Sequence, residues 1–116
     1  MVKDLHSRLN PLKYAQITVI VSSQHSDLEQ AIVFLEDAKT RLKEKKDAVF
    51  YLRIAQAEKR LDLGQHHDCL EILTEVKEEI ETQQDLNPRV YAYMADVFSQ
   101  YYRRKDDQEN FYKSAL

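Results

Sequence analysis

Apolar residues recur along this chain at helical spacing. Leu28, Ala31, Ile32, Leu35, Ala38 and Leu42 fall at i, +3, +4, +7, +10 and +14, which places them on one stripe of an α-helix. Cys69, Leu70, Leu73, Val76 and Ile80 make a second narrow stripe. Three other segments are apolar over a wider arc. The first holds Leu12, Ala15, Ile17, Val19, Ile20 and Val21; the next holds Val49, Leu52, Ala55, Leu61 and Leu63; the last holds Val90, Tyr91, Met94, Val97, Phe98 and Tyr101. The β-branched run Ile17–Val21 has a strand-like composition, but a helix cap precedes it and a second helical pattern follows at once, so the segment reads as helix.

Start and stop signals divide these segments. Asn10-Pro11 and Asn87-Pro88 each place an N-cap residue before a Pro at the first helical position, where the missing N–H costs no hydrogen bond. Ser26-Asp-Leu-Glu29 has the spacing of a capping box, and Asp47 is placed to cap the third helix. Gly64 follows Leu63 at the position of a left-handed C-terminal cap. The cluster Lys43-Glu-Lys-Lys46 suits a helix carboxyl end. The fourth helix runs roughly from His66 to Thr82. Asp106-Asp107 is expected to break the fifth helix and to cap a sixth that starts at Gln108.

The segments repeat. Ala31, Leu35 and Ala38 align with Cys69, Leu73 and Val76 at a shift of 38 residues, and the two Asn-Pro starts lie 77 residues apart. Short loops make neighbouring helices antiparallel. Hairpin repeats of this length stack as solenoids. The expected fold is therefore all-α, a right-handed α-α superhelix of antiparallel helical hairpins of the tetratricopeptide-like kind. Residues 1–116 form one helical-repeat domain, with hairpins at about 10–44, 47–83 and 87–116. Wide-arc helices are expected between neighbours and narrow-stripe helices in the outer layer. The Trp and Pro of the regular tetratricopeptide pattern are missing, so the solenoid is a divergent one.

Composition supports this picture. One Gly and two Pro in 116 residues are too few for the turns of an all-β fold, and Leu, Ala, Glu, Lys and Gln are abundant. A net charge of −3 argues against a nucleic-acid or membrane-surface partner. No run approaches the ~18 apolar residues of a membrane span. The amino end, Met-Val-Lys-Asp-Leu-His6, has no apolar signal-peptide core. A single cysteine excludes an internal disulfide and fits a reducing compartment. Asn110-Phe-Tyr-Lys-Ser-Ala-Leu116 reads as an uncapped helix interior, as expected of a fragment of a longer protein.

Candidate chemistry is sparse. His66-His67-Asp68-Cys69 are adjacent, so as helical neighbours they point about 100° apart and do not converge on one ion. Cys69 is expected in the core, with both histidines exposed. His6 and His25 lack a carboxylate or Cys at useful spacing. Glu75, Glu78, Glu79 and Glu81 read as a solvated helix face. One Gly excludes the glycine-rich phosphate loops. No catalytic residue, cofactor, metal or small-molecule substrate is expected. Tyr101 and Tyr102 are expected to complete the core stripe ahead of Arg103, Arg104 and Lys105. Those three cations are the candidate partner-binding residues, suited to an acidic neighbouring subunit. Lys13, Arg53 and Arg89 lie early in the three wide-arc helices and are candidates for a peptide groove, although their registers match poorly.

Three stretches carry a resemblance: Asn10-Pro-Leu12; Ala31-Ile-Val-Phe-Leu-Glu-Asp-Ala-Lys-Thr-Arg-Leu-Lys43; and Tyr101-Tyr102 with Asn110-Phe-Tyr-Lys-Ser-Ala-Leu116. Leu61-Asp-Leu-Gly64, followed by a Glu/Lys-rich helix, falls in the corresponding order. Over nearly its whole length the chain resembles the amino-terminal half of the 26S proteasome non-ATPase regulatory subunit 13 family. The resemblance implies a helical solenoid that precedes a winged-helix PCI module, which is absent from these 116 residues. It also implies a non-enzymatic lid subunit of cytoplasm and nucleus, whose partners are other proteasome lid subunits. A tetratricopeptide-like adaptor that binds a short peptide, or another PCI-complex scaffold subunit, is the alternative.

Overall fold

The computed structural model describes residues 10–24, 27–83 and 85–115, with side chains as far as residue 106. Five α-helices follow one another: α1 (Pro11–Ser22), α2 (Leu28–Arg41), α3 (Lys46–Asp62), α4 (His66–Glu81) and α5 (Pro88–Ala115). No strand occurs among the described residues. The strand-like run Ile17–Val21 lies wholly inside α1.

Local chemistry sets the boundaries. The Oδ1 atoms of Asn10 and Asn87 accept from the backbone N–H groups of Leu12 and Arg89, both at 2.9 Å. The two Asn-Pro starts are thus the same device used twice. Asp27, one residue after the expected Ser26, caps α2 by accepting from the N–H groups of Glu29 and Gln30; Ser26 lies outside the described residues. α3 opens two residues early, at Lys46 with Lys45 in the cap position, which leaves Asp47 in its first turn. There its carboxylate favours the positive helix end without capping it. α2 ends at Arg41, so Lys43–Lys46 forms the connection rather than the last turn. Gly64 adopts φ +80° after α3. Its N–H donates to Leu61 O and that of Gln65 donates to Arg60 O, the paired bonds of a Schellman cap.

The expected break at Asp106-Asp107 does not occur. α5 runs without interruption to Ala115, so the third hairpin is one long helix. An interior Asp costs roughly 0.7 kcal/mol relative to Ala. Capping a new helix there would instead sacrifice the hydrogen bonds of a whole turn.

The helices form two layers. α1, α3 and α5 lie side by side, while α2 and α4 cover them without touching each other. α3 is the hub, in contact with all four other helices. Leu52, Ile54, Ala55, Ala57 and Leu61 on it are fully buried. Two clusters result. One joins Tyr14 and Ala15 to Leu35, Ala38, Leu42, Ala48, Leu52 and Ala55. The other joins Ile54 and Leu61 to Cys69, Leu73, Val76, Ile80, Val90 and Val97. Burying one such Leu or Ile contributes about 1.5–3 kcal/mol. The 38-residue shift is visible in space. Leu35 and Ala38 on α2, Leu42 at its C-cap, and Cys69, Leu73, Val76 and Ile80 on α4 are all buried in the two clusters, and Ala31 is fully buried as well.

The fold is an all-α stack of helical repeats, and it is elongated. Its radius of gyration is 15.3 Å and its extents are 56 × 34 × 17 Å, against about 13 Å for a compact domain of this length. The 28-residue α5, about 42 Å long at 1.5 Å per residue, supplies much of the long dimension, and α1 and α5 each pack on α3.

Candidate protein-interaction surfaces

The residues with the most reactive chemistry are used in packing. Cys69 is fully buried in the α3–α4–α5 core. Burial pushes its thiol up to about 11 from 9.0. The raised folded value fixes the sign of a pH effect: the contribution to stability is complete below pH 9 and is lost as pH rises toward 11. Native protein should therefore resist an aromatic disulfide reagent at neutral pH, react fully in denaturant, and lose stability across that alkaline window. Rapid native labelling at neutral pH would contradict this. His66 is half-buried and meets Tyr101 edge to face at 6.5 Å, whereas His67 is exposed, 3.8 Å from Glu71. No group of three His, Cys, Asp or Glu side chains among the described residues is placed to hold a metal ion. His6 and His25 lie outside the described residues.

The α4 carboxylates divide into two sets. Glu75 and Glu79 turn toward Arg53 of α3 and pair with it, while Glu78 and Glu81 stay exposed. Arg53 is thereby a tie between α3 and α4. A second tie joins α2 to α3: Gln56 Nε2 donates to Glu36 at 2.8 Å, and Lys39 lies 2.9 Å from the same carboxylate. These donors, Lys39 first, hold the Glu36 carboxyl below its usual range.

On the α1–α3–α5 layer an aromatic and acidic cluster locks α5 in place. The Tyr51 and Tyr93 rings lie 4.6 Å apart. Tyr93 OH donates to Glu58 at 2.8 Å, and Gln100 Nε2 donates to the same carboxylate at 2.9 Å. Burial above all, then the Glu58 charge, raises the pKa of Tyr93.

The three candidate cations separate. Arg104 bends back onto the end of α3, donating to Leu61 O at 3.1 Å and to Asp62 at 2.7 Å. It thus adds a second donor to a carbonyl at the helix end that already accepts from the Gly64 N–H. Arg103 and Lys105 are exposed. Arg104→Ala should lower stability by about 1 kcal/mol in urea melts, whereas Arg103→Ala and Lys105→Ala should stay within about 0.5 kcal/mol of the parent. Equal effects at all three would contradict the assignment. The tyrosine pair also separates: Tyr101 is buried, and Tyr102 is 52% exposed, stacked on Phe98 at 6.3 Å.

Apolar surface is left open on the outer helices. On α1 the small Ala15 and the hydroxyl residues Thr18 and Ser22 are buried, while Ile17, Ile20 and Val21 are exposed. The inversion is tolerated because Thr18 Oγ1 donates to Tyr14 O at 2.8 Å and Ser22 Oγ donates to Val19 O at 2.7 Å. Neither hydroxyl is buried without a partner. Val33 on α2 is also exposed, as is Tyr91 on α5.

Two of the three candidate groove residues converge. Lys13 and Arg89, with Asn10, Leu12, Gln16 and Asn87, line a groove of about 270 Å³ between the first turns of α1 and α5. Arg53 does not take part, because Glu75 and Glu79 engage it. The available signal was the Asn-Pro start itself: Lys13 lies three residues after one cap and Arg89 two after the other.

A stack of helices with open apolar and charged faces and a core of aliphatic residues defines a helical-repeat module. The chain belongs to the family described as PSD13 N-terminal repeats, whose model matches residues 1–116. It is similar to the 26S proteasome non-ATPase regulatory subunit 13 homologs A and B of Arabidopsis thaliana. Each is 32% identical over 120 residues, an alignment that spans 99% of this chain and 31% of the relative. The 26S proteasome non-ATPase regulatory subunit 13 of Dictyostelium discoideum is 29% identical over 118 residues, covering 99% of this chain and 30% of that protein. The chain thus spans about a third of the length of these relatives. No helix among the described residues is long and apolar enough to cross a membrane.

Proposed function

We propose that the protein is a non-catalytic structural subunit of the 26S proteasome regulatory-particle lid. It supports lid assembly, and through it ubiquitin-dependent degradation, by contacts with other lid subunits in the cytoplasm and nucleus. The observation that carries this reading is alignment over 99% of the chain to relatives named as non-ATPase regulatory subunit 13. The physical form agrees with it. The hub α3 sets the spacing of α1 and α5, and the exposed Ile17, Ile20, Val21 and Tyr91 leave apolar surface on them for protein contacts. The exposed Arg103 and Lys105 are one such contact, with acidic groups of a neighbour.

Affinity purification of the tagged protein from cell extract, followed by peptide mass spectrometry, tests the assignment. The other lid subunits should co-purify in stoichiometric amounts and co-migrate with proteasomes on native gels. A protein recovered free of proteasomes would overturn it.

A further inference from the structure

We infer that the groove between the first turns of α1 and α5 is a docking site for an extended acidic segment of a partner polypeptide, gripped by Lys13 and Arg89. The groove belongs to this fold irrespective of the assembly the protein joins, so its test is separable from the lid assignment.

Three features point to a carboxylate-bearing occupant. First, the lining is Asn10, Leu12, Lys13, Gln16, Asn87 and Arg89: two cations and no acid, on a chain whose net charge is −3. Second, these cations have no ion pair among the described residues. Every other arginine described except Arg103 is tied within the fold: Arg41 to Asp37, Arg53 to Glu75 and Glu79, Arg60 to Gln65, and Arg104 to Asp62. Third, the polar groups beside the cations present donors. The carbonyl oxygens of Asn10 and Asn87 are engaged by the N–H groups of Leu12 and Arg89, which leaves each side-chain amide nitrogen to donate. A set of donors with two uncompensated cations matches the acceptor-only oxygens of Asp and Glu.

The geometry suits an extended strand of chain. α1 and α5 each pack on α3, so the hub sets the spacing of the two first turns that carry the cations. Leu12, a buried core residue, lies at the floor of the groove. Glu58 and Asp96, on the same layer, are occupied by Tyr93 and Gln100.

The test uses a fluorescein-labelled oligoglutamate peptide with an amidated carboxyl end. Binding to the 116-residue chain is read by fluorescence anisotropy at low ionic strength and by amide chemical-shift mapping. The expected result is binding with shifts centred on Lys13, Gln16, Asn87 and Arg89. The double variant Lys13→Glu/Arg89→Glu should weaken it at least about tenfold, with an unchanged urea midpoint. The control variant Lys77→Glu, at an exposed cation on α4, should bind like the parent. Shifts spread over Lys43, Lys45 and Lys46, or undiminished binding by the Lys13/Arg89 variant, would overturn the site. Binding only by the free-acid form would overturn the stated partner, because it would assign the groove to a chain terminus. No binding by either form would overturn both.

Discussion

Leu52→Ala should lower the stability of this domain by about 3 kcal/mol, and Ile20→Ala by no more than about 0.5 kcal/mol. Both residues sit in wide apolar arcs, and nothing in their immediate sequence ranks one above the other. The stack separates them. Leu52 is fully buried where α3 meets α1 and α2, whereas Ile20 is 61% exposed on the outer side of α1. Removing Leu52 leaves a cavity at the hub that two hairpins share, and neither can collapse into it without pulling on the other. Against the roughly 5–15 kcal/mol that holds a domain of this size folded, the loss is large. It should lower the melting temperature by about 10 °C. Urea denaturation of the two variants beside the parent measures the difference directly. Comparable effects at the two positions would contradict the hub assignment.

Gly64→Val should cost about 2 kcal/mol, with Gly64→Asn costing markedly less. At φ +80° a β-branched residue is a conformational outlier, and Asn tolerates the left-handed region. A Cβ at this position would meet nothing within 4 Å, so the penalty is one of backbone conformation rather than collision. The same turn carries a second load. Leu61 O accepts from the Gly64 N–H and from Arg104 Nη1, so the cap of α3 is also where α5 is pinned. Gly64→Val and Arg104→Ala should therefore be non-additive, with a coupling of about 0.5 kcal/mol or more in a double-mutant cycle. Strict additivity would show that the pin does not depend on the cap.

Much of this architecture was legible in the residues. Both Asn-Pro starts and Gly64 are local devices whose geometry depends on a few neighbouring atoms, and all three act as their types require. The narrow stripes of α2 and α4 were legible because each of those helices buries one face only. Boundary details failed where two local options compete at a fraction of a kcal/mol. Asp106-Asp107 stayed helical because propagating an existing helix is easier than starting another. Asp47 yielded the cap position to Lys45 for a similarly small difference.

The sequence by itself determined the first four helices, the start of the fifth, their order and the 38-residue period, because capping, propensity and apolar spacing act over a few residues. It also determined that Cys69 would be a core residue. Only the tertiary structure decided which side of each wide arc is covered. On α1 it buried Thr18 and Ser22 and left Ile17, Ile20 and Val21 open, because α2 and α3 occupy one side of that helix and hydroxyls can satisfy themselves on their own backbone. It turned Arg104 inward onto Leu61 and Asp62 while Arg103 and Lys105 stayed outside. It brought Lys13 and Arg89, 76 residues apart in the chain, to the lining of one groove. Such choices depend on the spacing of α1, α3 and α5, a distance that no local pattern encodes.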